Sequence, residues 1–144
     1  SDVYKRQVIN YRVEDFVERV RDLTGGRGAD VIYDPVGGDT FDGSMKCIAF
    51  DGRLLVIGFA SGRIPSAEMN RVLLKNISLV GVHWGLYFEK NPSTVQDAQR
   101  ALFDLHAQGK IKPVISATYP LSEAARALDE LGSRRTTGKV ILVP

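Results

Sequence analysis

The sequence predicts an α/β fold with a mostly parallel sheet, on three observations. Strand-like runs alternate with helical segments of about ten residues across positions 8–83, which is the pattern of parallel βαβ units. Leu54-Leu55-Val56-Ile57 and Ile77-Ser78-Leu79-Val80-Gly81-Val82 are almost unbroken apolar runs, as expected of strands buried on both faces. Three of the predicted strands end in comparable glycine-bearing sequence: Val36-Gly37-Gly38, Gly58-Phe59-Ala60-Ser61-Gly62 and Val82-His83-Trp84-Gly85.

The elements follow in order. Val8-Ile9-Asn10-Tyr11 reads as a short strand. Over residues 13–23, Phe16, Val17, Val20 and Leu23 share one helical face, with Glu14 and Asp15 in the favourable first turn. Gly25-Gly26-Arg27-Gly28 stops that helix, because glycine accepts a left-handed cap. Residues 30–36 form a strand. Asp39 is placed to cap a helix carrying Phe41, Met45 and Ile48. Asp51-Gly52 reads as a turn, and residues 53–59 as the next strand. A short helix over 66–75 follows Pro65, and residues 77–82 form the fourth strand. Beyond it, Asn91 caps a helix with Pro92 in its first position and Val95, Ala98, Leu102 and Leu105 inward. Gly109 ends it. Residues 114–119 form a strand, Ser122 caps a helix ended by Gly132, and residues 138–143 form a last strand.

Composition narrows the function. The 144 residues are 44% hydrophobic and 25% charged, enough to bury a core. Lys plus Arg number 19 and Asp plus Glu 17, a net charge of +2 that argues against a nucleic-acid platform. No apolar run has the ~20 residues of a membrane span. The lone Cys47 excludes an internal disulfide framework and a cysteine-cluster zinc site, and points to the cytosol. There is no initiator Met. Residues 1–7, Ser-Asp-Val-Tyr-Lys-Arg-Gln, resemble the in-frame translation of a sequencing-library adapter and are set aside from fold reasoning. The other reading is an ordinary polar N-terminus.

Catalytic constellations are sparse. Neither G-x-G-x-x-G nor a P-loop occurs, nor any G-x-S-x-G or H-E-x-x-H. His106 reads as a solvated helix residue and Cys47 as a small buried hydrophobe. Asp34, near a strand end, has two readings: a base, or an acceptor that hydrogen-bonds a loop. The three glycine-bearing strand ends remain. In an open parallel sheet ligands bind outside the carboxyl ends of the strands, and glycine lets a ligand approach backbone N–H donors there. The competing reading is that these glycines only make turns.

Segments 8–11, 28–38, 52–62, 73–82 and 136–142 resemble the C-terminal part of the zinc-independent quinone oxidoreductase branch of the medium-chain dehydrogenase/reductase superfamily. The resemblance implies a partial Rossmann fold lacking its first βαβ unit and its phosphate loop. It assigns residues 8–112 to the dinucleotide-binding domain and 113–144 to a strand-helix-strand piece of the catalytic domain. The cofactor it implies is NADPH, with hydride passed to a quinone or conjugated enone. An enoyl-thioester reductase shares these strands, and a non-enzymatic α/β module is the reading of a different class.

Carried over position by position, the resemblance puts Tyr11 on the adenosine ribose or its 2′-phosphate, and Gly37 and Gly38 on the cofactor ribose. Gly58, Phe59, Ala60 and Ser61 face the nicotinamide ribose. Val82, His83 and Trp84 lie near the carboxamide, and Arg134 reaches the phosphates or the cleft. No catalytic side chain and no metal ligand is expected in this stretch. The resemblance further implies a homodimer paired through the edge strand at 77–82, and a stretch that does not bind NADPH tightly or turn over quinones by itself. The strand at 8–11, without its native neighbours, is expected to be displaced or to pair non-natively.

Overall fold

The computed structural model describes residues 7–11, 13–133 and 136–144, which form two compact units, residues 1–90 and 91–144. The adapter-like stretch lies outside the described residues except for the exposed Gln7.

The first unit is a three-stranded parallel sheet, order β1-β2-β3, with helices α1 (Phe16–Leu23), α2 (Gly38–Cys47) and α3 (Met69–Lys75). Strands β1 (Ala29–Asp34), β2 (Ile48–Val56) and β3 (Ser78–Gly81) run in the expected direction. The register aligns Ile32, Leu54 and Leu79, then Asp34, Val56 and Gly81. Leu54 is fully buried, and Phe41 and Met45 of α2 close over it with Ile48 and Ile77. Ile32, Val56, Leu79 and Val72 of α3 pack against this cluster. Side chains alternate between faces of a strand, so the opposite face carries Val31, Tyr33 and Val80, which are 56%, 66% and 37% exposed. The expectation of strands buried on both faces therefore holds on one face only.

Several local readings are corrected. Residues 8–11 form no strand, and Val8 is 81% exposed, consistent with the displacement expected of a strand without neighbours. Asp15 is the N-cap of α1 rather than a first-turn residue: its Oδ1 accepts from the Val17 and Glu18 N–H groups at 2.8 and 3.3 Å. Gly37, not Asp39, occupies the N-cap position of α2, and the Asp39 carboxylate bonds Arg63 instead. Asp51-Gly52 lies within β2, where Asp51 has a φ of 60° and the pairing with β1 is irregular between Ala29 and Val31. That kink lets the strand begin at Ile48 rather than Arg53, and it ends at Val56 rather than Phe59. The helix after Pro65 starts only at Met69. A single 3-10 turn at Trp84–Leu86 and α4 (Tyr87–Lys90) close the unit.

The second unit holds α5 (Pro92–Ala107), β4 (Ile115–Pro120), α6 (Ala124–Gly132) and β5 (Lys139–Val143). Asn91 caps α5 as expected, accepting from the Thr94 N–H at 3.4 Å, with Pro92 at the first position. β4 and β5 pair in parallel, joined by α6, which buries Ala127. Ser122 does not cap α6; it sits in a 3-10 turn, Leu121–Glu123, that leads into the helix. Among the described residues no helix is long and apolar enough to cross a membrane.

Candidate functional site

Because β1, β2 and β3 are parallel, their carboxyl ends emerge along one edge, and the segments after Asp34, Val56 and Gly81 lie side by side. The structure thus brings Gly37, Gly38, Gly58, Phe59, Ala60, Ser61, Val82, His83 and Trp84 to that edge. Tyr11 is in an exposed turn ahead of α1 and takes part in none of the bonds that join the three ends. Arg134 lies outside the described residues.

Asp34 organises the edge. It is 3% exposed, and its Oδ1 accepts from the backbone N–H groups of Val36 and Gly37, both at 2.9 Å. This is the turn-forming use of a short carboxylate, so the loop reading of Asp34 is the one that the structure supports. The Asp34 carbonyl accepts from the Ile57 and Gly58 N–H groups, extending the β1–β2 ladder beyond the strands. The Ala60 N–H then donates to Pro35 O at 3.1 Å and the Ser61 N–H to Val36 O at 2.9 Å. The Gly38 N–H closes the zip on Arg63 O at 3.1 Å.

Two glycines make this close approach possible. Gly37 and Gly38 have φ of 68° and 57°, and a Cβ on Gly38 would sit 2.6 Å from Ser61 Oγ. The ring of Phe59 lies over Gly37, where an added Cβ would meet Phe59 Cδ1 at 3.0 Å.

Arg63 latches the second loop to α2, donating to Asp39 Oδ1 at 2.9 Å and Asp42 Oδ2 at 2.6 Å. The hydrogen bonds to Asp42 and then Asp39 push the guanidinium further above its usual range. Sequence reasoning missed this latch. The only signal was the Asp39–Asp42 spacing, which stacks two carboxylates on one turn of helix.

At the third end, the Val82 N–H donates to Val56 O at 3.0 Å, and the Trp84 and Tyr87 rings stack with centroids 5.4 Å apart.

The backbone donors expected to face a ligand are therefore largely consumed: the N–H groups of Gly37, Gly38, Gly58, Ala60, Ser61 and Val82 all bond within the fold. What the edge offers is a hydrogen-bonded loop surface, carbonyl acceptors and the exposed rings of Phe59 and Trp84. Carbonyl acceptors suit hydroxyl donors, and exposed aromatic rings suit a flat apolar group. They do not suit an anion, which needs free N–H donors or a cation. The N-terminus of α2 at this edge carries Asp39 and Asp42 and is covered by Arg63, so a second anion would meet like charge there.

Among the described residues no three His, Cys, Asp or Glu side chains converge as a metal would require, and burial pushes the Cys47 thiol up. The described residues therefore do not form a zinc site.

The family model for "Zinc-binding dehydrogenase" matches residues 6–142. A "Quinone oxidoreductase-like protein 2 homolog" from Nematostella vectensis is 38% identical over 135 residues, covering 93% of this chain and 37% of its own length. A "2-haloacrylate reductase" of Burkholderia is 36% identical over 137 residues, covering 94% of this chain and 41% of its own. Among solved structures, Escherichia coli quinone oxidoreductase complexed with NADPH is 35% identical with a TM-score of 0.85, over 96% of this chain and 43% of that one. The chain thus spans about two-fifths of the length of the relatives it matches.

Proposed function

The chain belongs to the zinc-binding dehydrogenase family, and from that premise we propose that it supplies the nicotinamide side of the cofactor site of an NADPH-dependent oxidoreductase. The observation that carries the reading is the convergence of three locked strand ends at one edge of a parallel sheet, in a chain similar to an NADPH-bound quinone oxidoreductase. When bound, reduced nicotinamide supplies a hydride to an electron-poor acceptor, here a quinone or conjugated enone.

This chain's residues bind and orient. The Asp34 turn and the Gly37–Gly38 pair hold the loop that lines the cofactor ribose. Gly58, Phe59, Ala60 and Ser61 present carbonyls and an aromatic face to the nicotinamide ribose. Val82, His83 and Trp84 border the carboxamide and exclude water. Tyr11 and Arg134 serve the adenosine and phosphate side once the rest of the fold is present. No side chain here is proposed as an obligatory acid or base, and the mechanism uses no zinc. Residues 8–112 are read as dinucleotide-binding and 113–144 as a return to a catalytic domain. The protein is read as cytosolic, and its assembly as a homodimer through β3, which lies at an edge of the sheet.

The test uses the chain extended upstream to the full length of its relatives. NADPH oxidation is followed with a quinone, a conjugated enone and an enoyl thioester as acceptors, and sedimentation reports the assembly. Faster turnover with the quinone or enone, by a dimer, is expected. Preference for the thioester would move the assignment to an enoyl-thioester reductase. Absence of turnover with all three acceptors would refute the oxidoreductase reading.

A further inference from the structure

We propose that the first unit carries a second site, for a small oxyanion, in a cleft of about 250 Å³ bounded by Arg21, Arg27, Lys46 and Lys75, with Ile48 and Phe50 beside them. The ligand class is phosphate or pyrophosphate, free or as the end group of a larger molecule. The cleft shares no residue with the strand-end edge and does not depend on the function proposed for it.

Topology places it. The parallel strands start along one edge as surely as they end along the other, and α2 finishes there at Cys47, immediately before β2. Three helices send a cation to that point: Arg21 from α1, Lys46 from α2 and Lys75 from α3. The Lys75 ammonium donates to the carbonyls of Met45, Lys46 and Ile48 at 3.0, 3.1 and 3.3 Å. Arg21 Nη2 donates to Lys46 O at 3.0 Å.

These bonds are the C-cap of α2, but the charge exceeds what a cap needs. A helix C-terminus presents roughly half a negative charge, and three cations gather on it. Arg27 is paired with Asp30. Among the described residues, none of Arg21, Lys46 and Lys75 forms an ion pair with a carboxylate. The cost registers at Lys75, whose pKa lies below the ordinary lysine value, through burial first and the Arg21 charge next. A bound anion would relieve that repulsion. Arg21 spends one of its five N–H groups on the cap, so donors remain for a ligand. Lys75 contributes charge rather than a bond, its three protons being taken.

The experiment is an NMR titration of the 144-residue chain with inorganic pyrophosphate and, separately, ADP. Saturable shifts at the amides of Gly26, Lys46 and Phe50 in the millimolar range, weakening as salt is added, are expected. Arg21→Gln and Lys46→Gln should each weaken binding by about three- to tenfold, allowing for solvent exposure. Lys110→Gln, an equal change in net charge in the other unit, should leave it unaltered. If Arg21→Gln fails to fold, Arg27→Gln and Lys46→Gln decide. Equal binding of the two probes assigns the site to a bare oxyanion, and tighter ADP binding with larger Phe50 shifts assigns it to a nucleotide phosphate. Shifts absent from the cleft with both probes, or an equal loss in Lys110→Gln, would overturn the proposal.

Discussion

On one face of the three-stranded sheet, Ile32, Leu54, Val56 and Leu79 pack with α2 and α3; on the other, Val31, Tyr33 and Val80 stand exposed. The two sets come from the same strands and are equally apolar. What differs is whether the described residues supply a covering layer. Burial makes a strand residue energetically important, and sequence alone reports only the capacity for it. The bare face has that capacity unspent, as a sheet designed for helices on both sides would when only one side is covered.

The largest expected effect lies on the covered face. Leu54→Ala empties the centre of the core and should cost about 2–5 kcal/mol in chemical denaturation. A loss below about 1 kcal/mol would mean that the covered face is loosely packed and would weaken the comparison.

Next comes the carboxyl end of β1, at Asp34. Asp34→Ala orphans the Val36 and Gly37 N–H groups and should cost about 1–3 kcal/mol. Hydrogen exchange should speed at those two amides before those of β1. Gly37→Ala adds strain at a positive φ beneath the Phe59 ring, a penalty of about 1–3 kcal/mol.

The smallest effect is on the bare face. Tyr33→Thr should change the stability of the 144-residue chain by no more than about 0.5 kcal/mol. In a chain extended to the length of its relatives, the same substitution should cost about 1–3 kcal/mol if a second layer covers that face. Equal effects in both chains would mean that no second layer covers that face.

Much of the fold was legible in sequence, because local signals carry it. The Asn91-Pro92 start, the glycine stops and the apolar runs of β2 and β3 each depend on a few neighbouring residues. The failures lie where distant residues decide. Residues 8–11 have strand composition, but a strand needs a partner ladder. Asp51-Gly52 has turn chemistry, yet pairing with β1 carries the strand through it at a kink. Asp39 has a capping side chain, but Arg63, 24 positions away, takes it. At the strand ends, sequence put Gly37, Gly38 and Gly58 along one edge, as the structure does, and misjudged their donors. Those N–H groups bond a neighbouring loop, a register that no spacing rule reveals. Asp34 could be read two ways until the turn it holds was seen.

The proposed function gives this chain the nicotinamide side of a dinucleotide site without a seat for the pyrophosphate. The direct measurement is a fluorescence titration of NADPH against the 144-residue chain and against the chain extended to the length of its relatives. Two or three missing charge-assisted bonds to the pyrophosphate are worth about 3–9 kcal/mol together, or about two to six decades in affinity. Micromolar binding by the extended chain is expected, and millimolar or undetectable binding by the short one. Micromolar binding by the 144-residue chain itself would contradict it.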